Sequence, residues 1–474
     1  MTSAPPARPG SAVGLGFLKL GLGEAVARIV AFGATVYLAR SLGASVYGVI
    51  VLATAILLYL NFLTDCGVDA LGVREVAAAP DAVPDLLPSV LGARLLVGTA
   101  LALVTIAVGL TLLPQPEGAI LAAYALTLPV IGLGTRWVHL GYEQPGRASL
   151  ARLVTELAMV ALVLALVHAP GDLEHVPLAQ VVGEGVGALV LLRLLPARLR
   201  RLPVRLEVER VRTLFRASWP LILHALLGLA IFNSDFIFLR VFRDSAAVGL
   251  YAAAYTLISF FLNLGATYTM TLLPVITRLR DDAVASKALY DDSLAQVLAV
   301  ALPVAVGGYL VGPGIVDMVF GRGYLASSAP LQVLIWSIPV ALIRNVAQGA
   351  LIAHQRQDQL MHTAAWAAAT NVVLNIAFIP RWGLVGAASA TLLTEMLRTT
   401  LAVIYTARLG LRLPGPMRFA RIAAAVTGLA VLVVLTRQLP LLATIAAGAT
   451  GYAVLLVLVG ALRFRRGAMP EFAP

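Results

Sequence analysis

The chain has 474 residues, of which 60% are apolar and only 12% charged, with a mean hydropathy of +0.90. Soluble domains hold roughly 45–50% apolar and 25% charged residues, so the solvent this chain is built for is lipid. The formal charge of +11 excludes little and does not signal nucleic acid, because arginines in short loops beside apolar spans are what the positive-inside rule produces.

In chain order, residues 1–14 read as a polar cytoplasmic tail. The apolar stretch that follows is interrupted by Lys19, Glu24 and Arg28, which argues against a cleavable signal peptide and for a first, amphipathic span. Cutting the later apolar runs at clusters of Pro, Gly and charge predicts an all-α polytopic membrane protein of about fourteen transmembrane helices. They lie at about 15–39, 48–71, 89–113, 118–140, 149–168, 178–195, 218–241, 249–273, 294–319, 328–352, 362–380, 383–406, 422–438 and 440–462. No extramembrane catalytic domain fits between them, and Cys66, the one cysteine, excludes an intramolecular disulfide.

Charge orients the spans. Arg198, Arg200, Arg201, Arg205, Arg210, Arg212 and Arg216 crowd one loop. Arg278, Arg280 and Lys287, then Arg408, Arg412, Arg418 and Arg421, then Arg463, Arg465 and Arg466 fall on the same side, so both termini are expected in the cytoplasm. The basic connection at 197–217 divides the chain into an N-lobe at 15–196 and a C-lobe at 218–407, with two more helices at 422–462 and a cytoplasmic tail at 463–474. Such a division marks duplicated transporter bundles. Weak internal similarity agrees, with Leu38 and Gly48 spaced like Leu239 and Gly249, and Glu184 placed like Glu395.

Ionisable residues inside spans are costly and mark cavities or partners. In the first span Glu24 and Arg28 stand one turn apart, with Lys19 nearer the cytoplasm. Asp65 and Asp69 repeat that spacing near Arg74, which reads as a structural group. Arg94 in the third span and Arg344 in the tenth, the latter near Asn345 and Gln348, supply cations from both lobes. Asp235, beside Asn233 and Ser234 and far from any cation but Arg240, is the first candidate for proton or sodium coupling, with Glu24 as a second. Glu156, Glu184, Glu395 and Arg398 have faces that periodicity leaves open. Tyr251 and Tyr255 read as interfacial anchors, Asn371 and Asn375 as interhelical hydrogen-bonders, and Gly183 with Gly187 as a close-packing GxxxG. No P-loop surrounds either lysine, so ATP is not expected as a ligand, and the histidines lack zinc spacing. The pairs Asp281-Asp282 and Asp291-Asp292 read as helix-capping acids in a solvated loop.

The stretch LARSLGASVYGVIVLATAILLYLNFLTDCGVDALGVREVA from Leu38, NSDFIFLRVFRDSAAVGLYAAAYTLISFF from Asn233, MVFGRGYLASSAPLQVLIW from Met318 and NVVLNIAFIPRWGLVGAASATLLTE from Asn371 resemble the Wzx-like polysaccharide-export flippases. These belong to the multidrug, oligosaccharidyl-lipid and polysaccharide (MOP) exporter superfamily. The resemblance covers nearly the whole chain in the family's order. It implies two six-helix lobes around a central cavity plus two C-terminal helices, alternating access, and no enzyme activity or bound cofactor. The implied cargo is an oligosaccharide on undecaprenyl diphosphate, flipped from the inner to the outer leaflet of the cytoplasmic membrane, with polysaccharide polymerase or ligase machinery as a further partner. A lipid II flippase, an ion-coupled multidrug antiporter of the same superfamily and a membrane glycosyltransferase, polymerase or ligase are the alternatives. Mid-span Arg28, Arg94 and Arg344, with Lys19, favour an anionic cargo and are expected to receive its diphosphate in a shared cavity.

Overall fold

The computed structural model describes residues 9–200, 203–205, 207–460, 462–463 and 471–472; the side chains of 9–25 and of scattered later positions fall outside the description. The chain forms two compact units, Met1–Leu226 and Leu227–Pro474. Among the described residues nine helices are long and apolar enough to cross a membrane, and the bent pair Arg322–Leu334 and Ser337–Ala353 makes a tenth. Leu103, Leu112, Ile376 and Leu458 are more than half exposed on these helices, a surface suited to hydrocarbon rather than water.

Two of the nine are too long to cross once. Val26–Asp65 has 40 residues and Gln357–Arg408 has 52, which at about 1.5 Å per residue is roughly twice the hydrocarbon thickness or more. Each is broken by one glycine in a backbone conformation that a side chain would strain, Gly43 at φ 74° and Gly383 at φ 54°. Gly43 lies in the gap predicted between the first two spans, and Gly383 stands at the predicted start of the twelfth.

Unit 1 begins with α1 (Pro9–Asp65) and continues through α2 (Val68–Ala78), α3 (Val83–Leu112), α4 (Glu117–Ala125), α5 (Thr127–Gly132), α6 (Arg136–Gly141), α7 (Pro145–Leu166), α8 (His175–Leu194) and the short α9 (Ala197–Arg200). Helices α7 and α8 approach closely because their contact is cut back to glycine. A Cβ on Gly183 would meet the Thr155 carbonyl oxygen at 3.0 Å, and one on Gly187 would overlap the Thr155 hydroxyl. One end of the unit is sealed by an apolar cluster around Trp137, with Cys66, Val76, Leu87 and Leu199, and the Arg205 amide donates to the Pro88 carbonyl across it at 3.1 Å.

The unit boundary falls within α10 (Val208–Phe242). Unit 2 then holds α11 (Ser245–Leu279), α12 (Ala283–Phe320), α13 (Ser328–Leu334), α14 (Ser337–Ala353), α15 (Gln357–Arg408), α16 (Pro416–Leu435) and α17 (Leu441–Leu458), followed by a two-residue antiparallel pairing of Leu462–Arg463 with Glu471–Phe472. Helices α16 and α17 pack on α12 through Ile422, Val426 and Leu429, and the Tyr452 hydroxyl donates to the Ala299 carbonyl at 2.7 Å. The acidic loop residues have structural roles. Asp282 caps α12 by accepting from the Val284 and Ala285 amides at 3.1 and 3.0 Å, and Asp291 pairs with Lys287 at 2.5 Å. Among the described residues no cluster of acidic, His or Cys side chains could hold a metal ion.

Candidate functional site

In unit 1 the arginine of the predicted third span does not stand alone. Arg94 is 4% exposed. Its guanidinium pairs with Asp65 at 3.1 Å and donates to the Gly134 and Ile131 carbonyls at 2.8 and 3.3 Å. The expected partner of Asp65, Arg74, is exposed on α2 instead; α3 runs beside the end of α1 and delivers Arg94 to the same carboxylate. Arg94 is thus committed to tying α1 to α3 and to the α5–α6 break, although it also lines a cavity of about 250 Å³ with Asn61, Asp69, Arg136, Arg152 and Glu184. Arg152 forms an ion pair with Glu156, and Gln180 donates to Glu184 at 3.3 Å. Arg28 is exposed on α1. The side chains of Lys19 and Glu24 lie outside the described residues.

Unit 2 places two polar clusters within one helical turn of each other on α15. The first is built around Asp235 of α10, which is fully buried. One carboxylate oxygen accepts from Asn375 Nδ2 at 2.6 Å. The other accepts from the Tyr251 hydroxyl at 2.7 Å and from the Thr391 hydroxyl. Asn375 also donates to Asn371 Oδ1 at 2.9 Å, and the same oxygen accepts from Ser234 at 2.9 Å. Every one of these partners is neutral, and Asn375 Oδ1 is buried without a hydrogen bond. A carboxylate held in a membrane by two hydroxyls and an amide nitrogen, with no cation among its described partners, suits a proton or a small hard cation.

The second cluster is ionic. Arg344 of α14 donates through Nε to Glu395 at 2.9 Å and through Nη1 to Gln348 at 2.8 Å. Arg398, one turn beyond Glu395, approaches the other carboxylate oxygen at 3.6 Å. Two guanidiniums therefore share one fully buried carboxylate. Tyr255, one turn from Tyr251, sits in the electrostatic field of both Asp235 and Glu395.

Tyr251 corrects the sequence reading: it is 0% exposed, a buried donor to Asp235 rather than an interfacial anchor, because α11 turns that face inward against α10 and α15. Asn371 and Asn375 do bond across helices, as their shared face implies. Thr391 was not singled out at all. The signal available for it was spacing, since Asn371 and Asn375 before Gly383, and Thr391 and Glu395 after it, each repeat at four residues in otherwise apolar helix.

Residues 13–280 match the model of a family described as polysaccharide biosynthesis protein. Over 174 residues the chain is 30% identical to a probable flippase, AglR, of Haloferax volcanii; the match spans 36% of this chain and 36% of that relative. The fold is similar to that of the lipid II flippase MurJ, with a TM-score of 0.77 at 12% identity over 93% of this chain and 98% of that one. It is also similar to a multidrug resistance MATE transporter of the MOP superfamily, with a TM-score of 0.67 at 12% identity over 83% and 98% of the two chains. A MOP superfamily transporter from Pyrococcus furiosus, whose binding pocket is described as reversed in polarity, gives 0.53 at 13% identity over 84% and 95%. The helical membrane fold expected from the resemblance is found, and it is shared with the lipid II flippase and with transporters of the MOP superfamily.

Proposed function

Because the chain belongs to the polysaccharide biosynthesis protein family, we propose that it is a flippase that moves an oligosaccharide linked to undecaprenyl diphosphate from the inner to the outer leaflet of the cytoplasmic membrane by alternating access. The observation that carries the lipid-linked cargo is an apolar cavity of about 490 Å³ in unit 2, between α11, α12 and the last two helices. Its walls include Phe261, Val304, Ile335, Leu429 and Ala449, and the Tyr452 hydroxyl on its rim is already bonded to the Ala299 carbonyl. A water-soluble cation finds no partner there; an isoprenoid chain needs none. The buried arginines support an anionic head group on the same cargo and weigh against a multidrug cation antiporter. Arg28 and Arg344 are the proposed diphosphate residues, with Lys19 nearer the cytoplasm, while Arg94 serves the architecture of unit 1.

Filling the cavity tests this reading. Ala449→Phe places a ring where the chain would lie and is expected to lower glycan-lipid flipping about tenfold, as blocking a few buried methylenes should at roughly 0.8 kcal/mol each. Thermal unfolding of the purified variant should stay near that of the parent. Wild-type flipping by a folded Ala449→Phe protein would place the isoprenoid elsewhere.

The charge asymmetry carries a second expectation. Single cysteines at Ser3, Pro203 and Ala473, in a Cys66→Ser background, should react with a membrane-impermeant maleimide only after the cytoplasmic side is opened. Labelling of the two termini from opposite sides would require an odd number of spans and overturn the topology.

A further inference from the structure

The Arg344–Glu395–Arg398 cluster is unfinished as a structural ion pair. Glu395 is fully buried, yet its Oε1 accepts no hydrogen bond, and Arg398 Nε is buried without an acceptor. The 3.6 Å approach of Arg398 is an ion pair without hydrogen-bond geometry, and Arg344 and Arg398 lie within each other's repulsive field. A buried pair whose purpose is only to join two helices gains from complete satisfaction and an even charge count; here one positive charge is surplus. The Arg344 and Arg398 side chains keep 10% and 9% of their surface accessible while the Glu395 side chain keeps none. The two arginine side chains are therefore partly accessible where the carboxylate between them is not.

We propose that Arg344 and Arg398 form one site for phosphate oxygens and that Glu395 is its internal competitor, holding the two guanidiniums in place when the site is empty and yielding them when a diphosphate arrives. This rests on the flippase reading and assigns Arg398, with Glu395, to it. Guanidinium forks match phosphate oxygens bidentately, and Arg398 Nε, a buried donor without an acceptor, is free to take a phosphate oxygen once Glu395 yields the guanidinium. A carboxylate competitor also answers a requirement of transport, since a site that only bound diphosphate tightly would not release it. Asp235 is linked to the same stretch of α15 through Thr391, one turn from Glu395, and Tyr255 lies in the field of both carboxylates. When Asp235 is anionic the four ionisable groups balance, and when it carries a cation the surplus positive charge is restored. Cation and cargo are accordingly expected to bind in concert.

The test uses the full-length protein in lipid nanodiscs and farnesyl diphosphate as probe, with inorganic pyrophosphate and farnesol as comparison ligands. Glu395→Gln, which keeps the shape and removes the charge, should tighten farnesyl diphosphate binding about tenfold, and Arg398→Gln should weaken it about tenfold or more, in line with one charge-assisted hydrogen bond gained or lost. Pyrophosphate should compete with the probe, and farnesol should compete far more weakly than unlabelled farnesyl diphosphate. If Arg398→Gln is recovered only as aggregate, Arg398→Lys, which keeps charge but loses the fork, carries the same test with a smaller loss. Unchanged affinity in folded Glu395→Gln and Arg398 variants, with the parent still binding farnesyl diphosphate, overturns the site and leaves the flippase reading standing. A parent protein that binds farnesol as tightly as farnesyl diphosphate overturns the site too, because the diphosphate then adds nothing. A parent that binds no isoprenoid diphosphate removes the flippase reading and the site with it.

Discussion

Asp235→Asn is expected to uncouple transport from the cation gradient while leaving the fold intact. The substitution is nearly isosteric, and an amide oxygen at this position still accepts from the Tyr251 and Thr391 hydroxyls that now bond the carboxylate. The new amide nitrogen would face Asn375 Nδ2, but the Asn375 side chain can turn its Oδ1, now buried without a hydrogen bond, toward it. What is lost is the one negative charge in a wholly neutral pocket, and with it the means to hold a proton or sodium ion. In proteoliposomes, flipping by the parent should accelerate when a sodium or proton gradient is imposed, and whichever ion does so identifies the coupling. Asp235→Asn should show the same slow rate with and without the gradient. A variant that responds to the gradient as the parent does would take Asp235 out of the coupling.

The second large effect separates two arginines that look alike in sequence. Arg94→Ala should deplete the protein from the membrane, because it strands Asp65, of which 18% is exposed, and frees the Gly134 and Ile131 carbonyls. Breaking a buried pair from one side costs about 3 kcal/mol or more, a large share of a marginal stability. Arg28→Ala should instead leave abundance unchanged, since Arg28 is exposed on α1, and abolish glycan export, since a diphosphate near the bilayer midplane needs a fixed cation. Immunoblots of membranes beside surface-glycan measurements distinguish the two. Normal export with Arg28→Ala would remove that residue from the mechanism.

These contrasts show what the sequence could and could not reveal. Apolar periodicity and breaks at glycine were enough to find spans, and they anticipated the division of α1 near Gly43 and of α15 near Gly383 because a 40- or 52-residue apolar helix has no membrane thick enough to hold it. Asp235 was legible because a lone carboxylate in a span is costly wherever it points. Its surroundings were not: Tyr251, Asn375 and Thr391 come from three other helix segments, and their convergence depends on helix rotation, which the sequence leaves open in all-apolar helices with little amphipathic contrast. Arg94 is a similar case: its charge was visible, but its pairing with Asp65, 29 positions away, was less obvious from sequence than a pairing of Asp65 with the nearer Arg74. Arg398 and Glu395 were visible as ionisable groups on one helix, and only the approach of α14 reveals that Arg344 shares their carboxylate.

Reconstitution tests the flippase reading most directly. Vesicles holding a fluorescent oligosaccharide on undecaprenyl diphosphate in the inner leaflet should, once they contain the purified protein, expose it to an external glycan-cleaving or quenching reagent without added ATP, at a rate well above that of protein-free vesicles. Exposure no faster than in protein-free vesicles, or exposure that occurs only with ATP, would contradict the account.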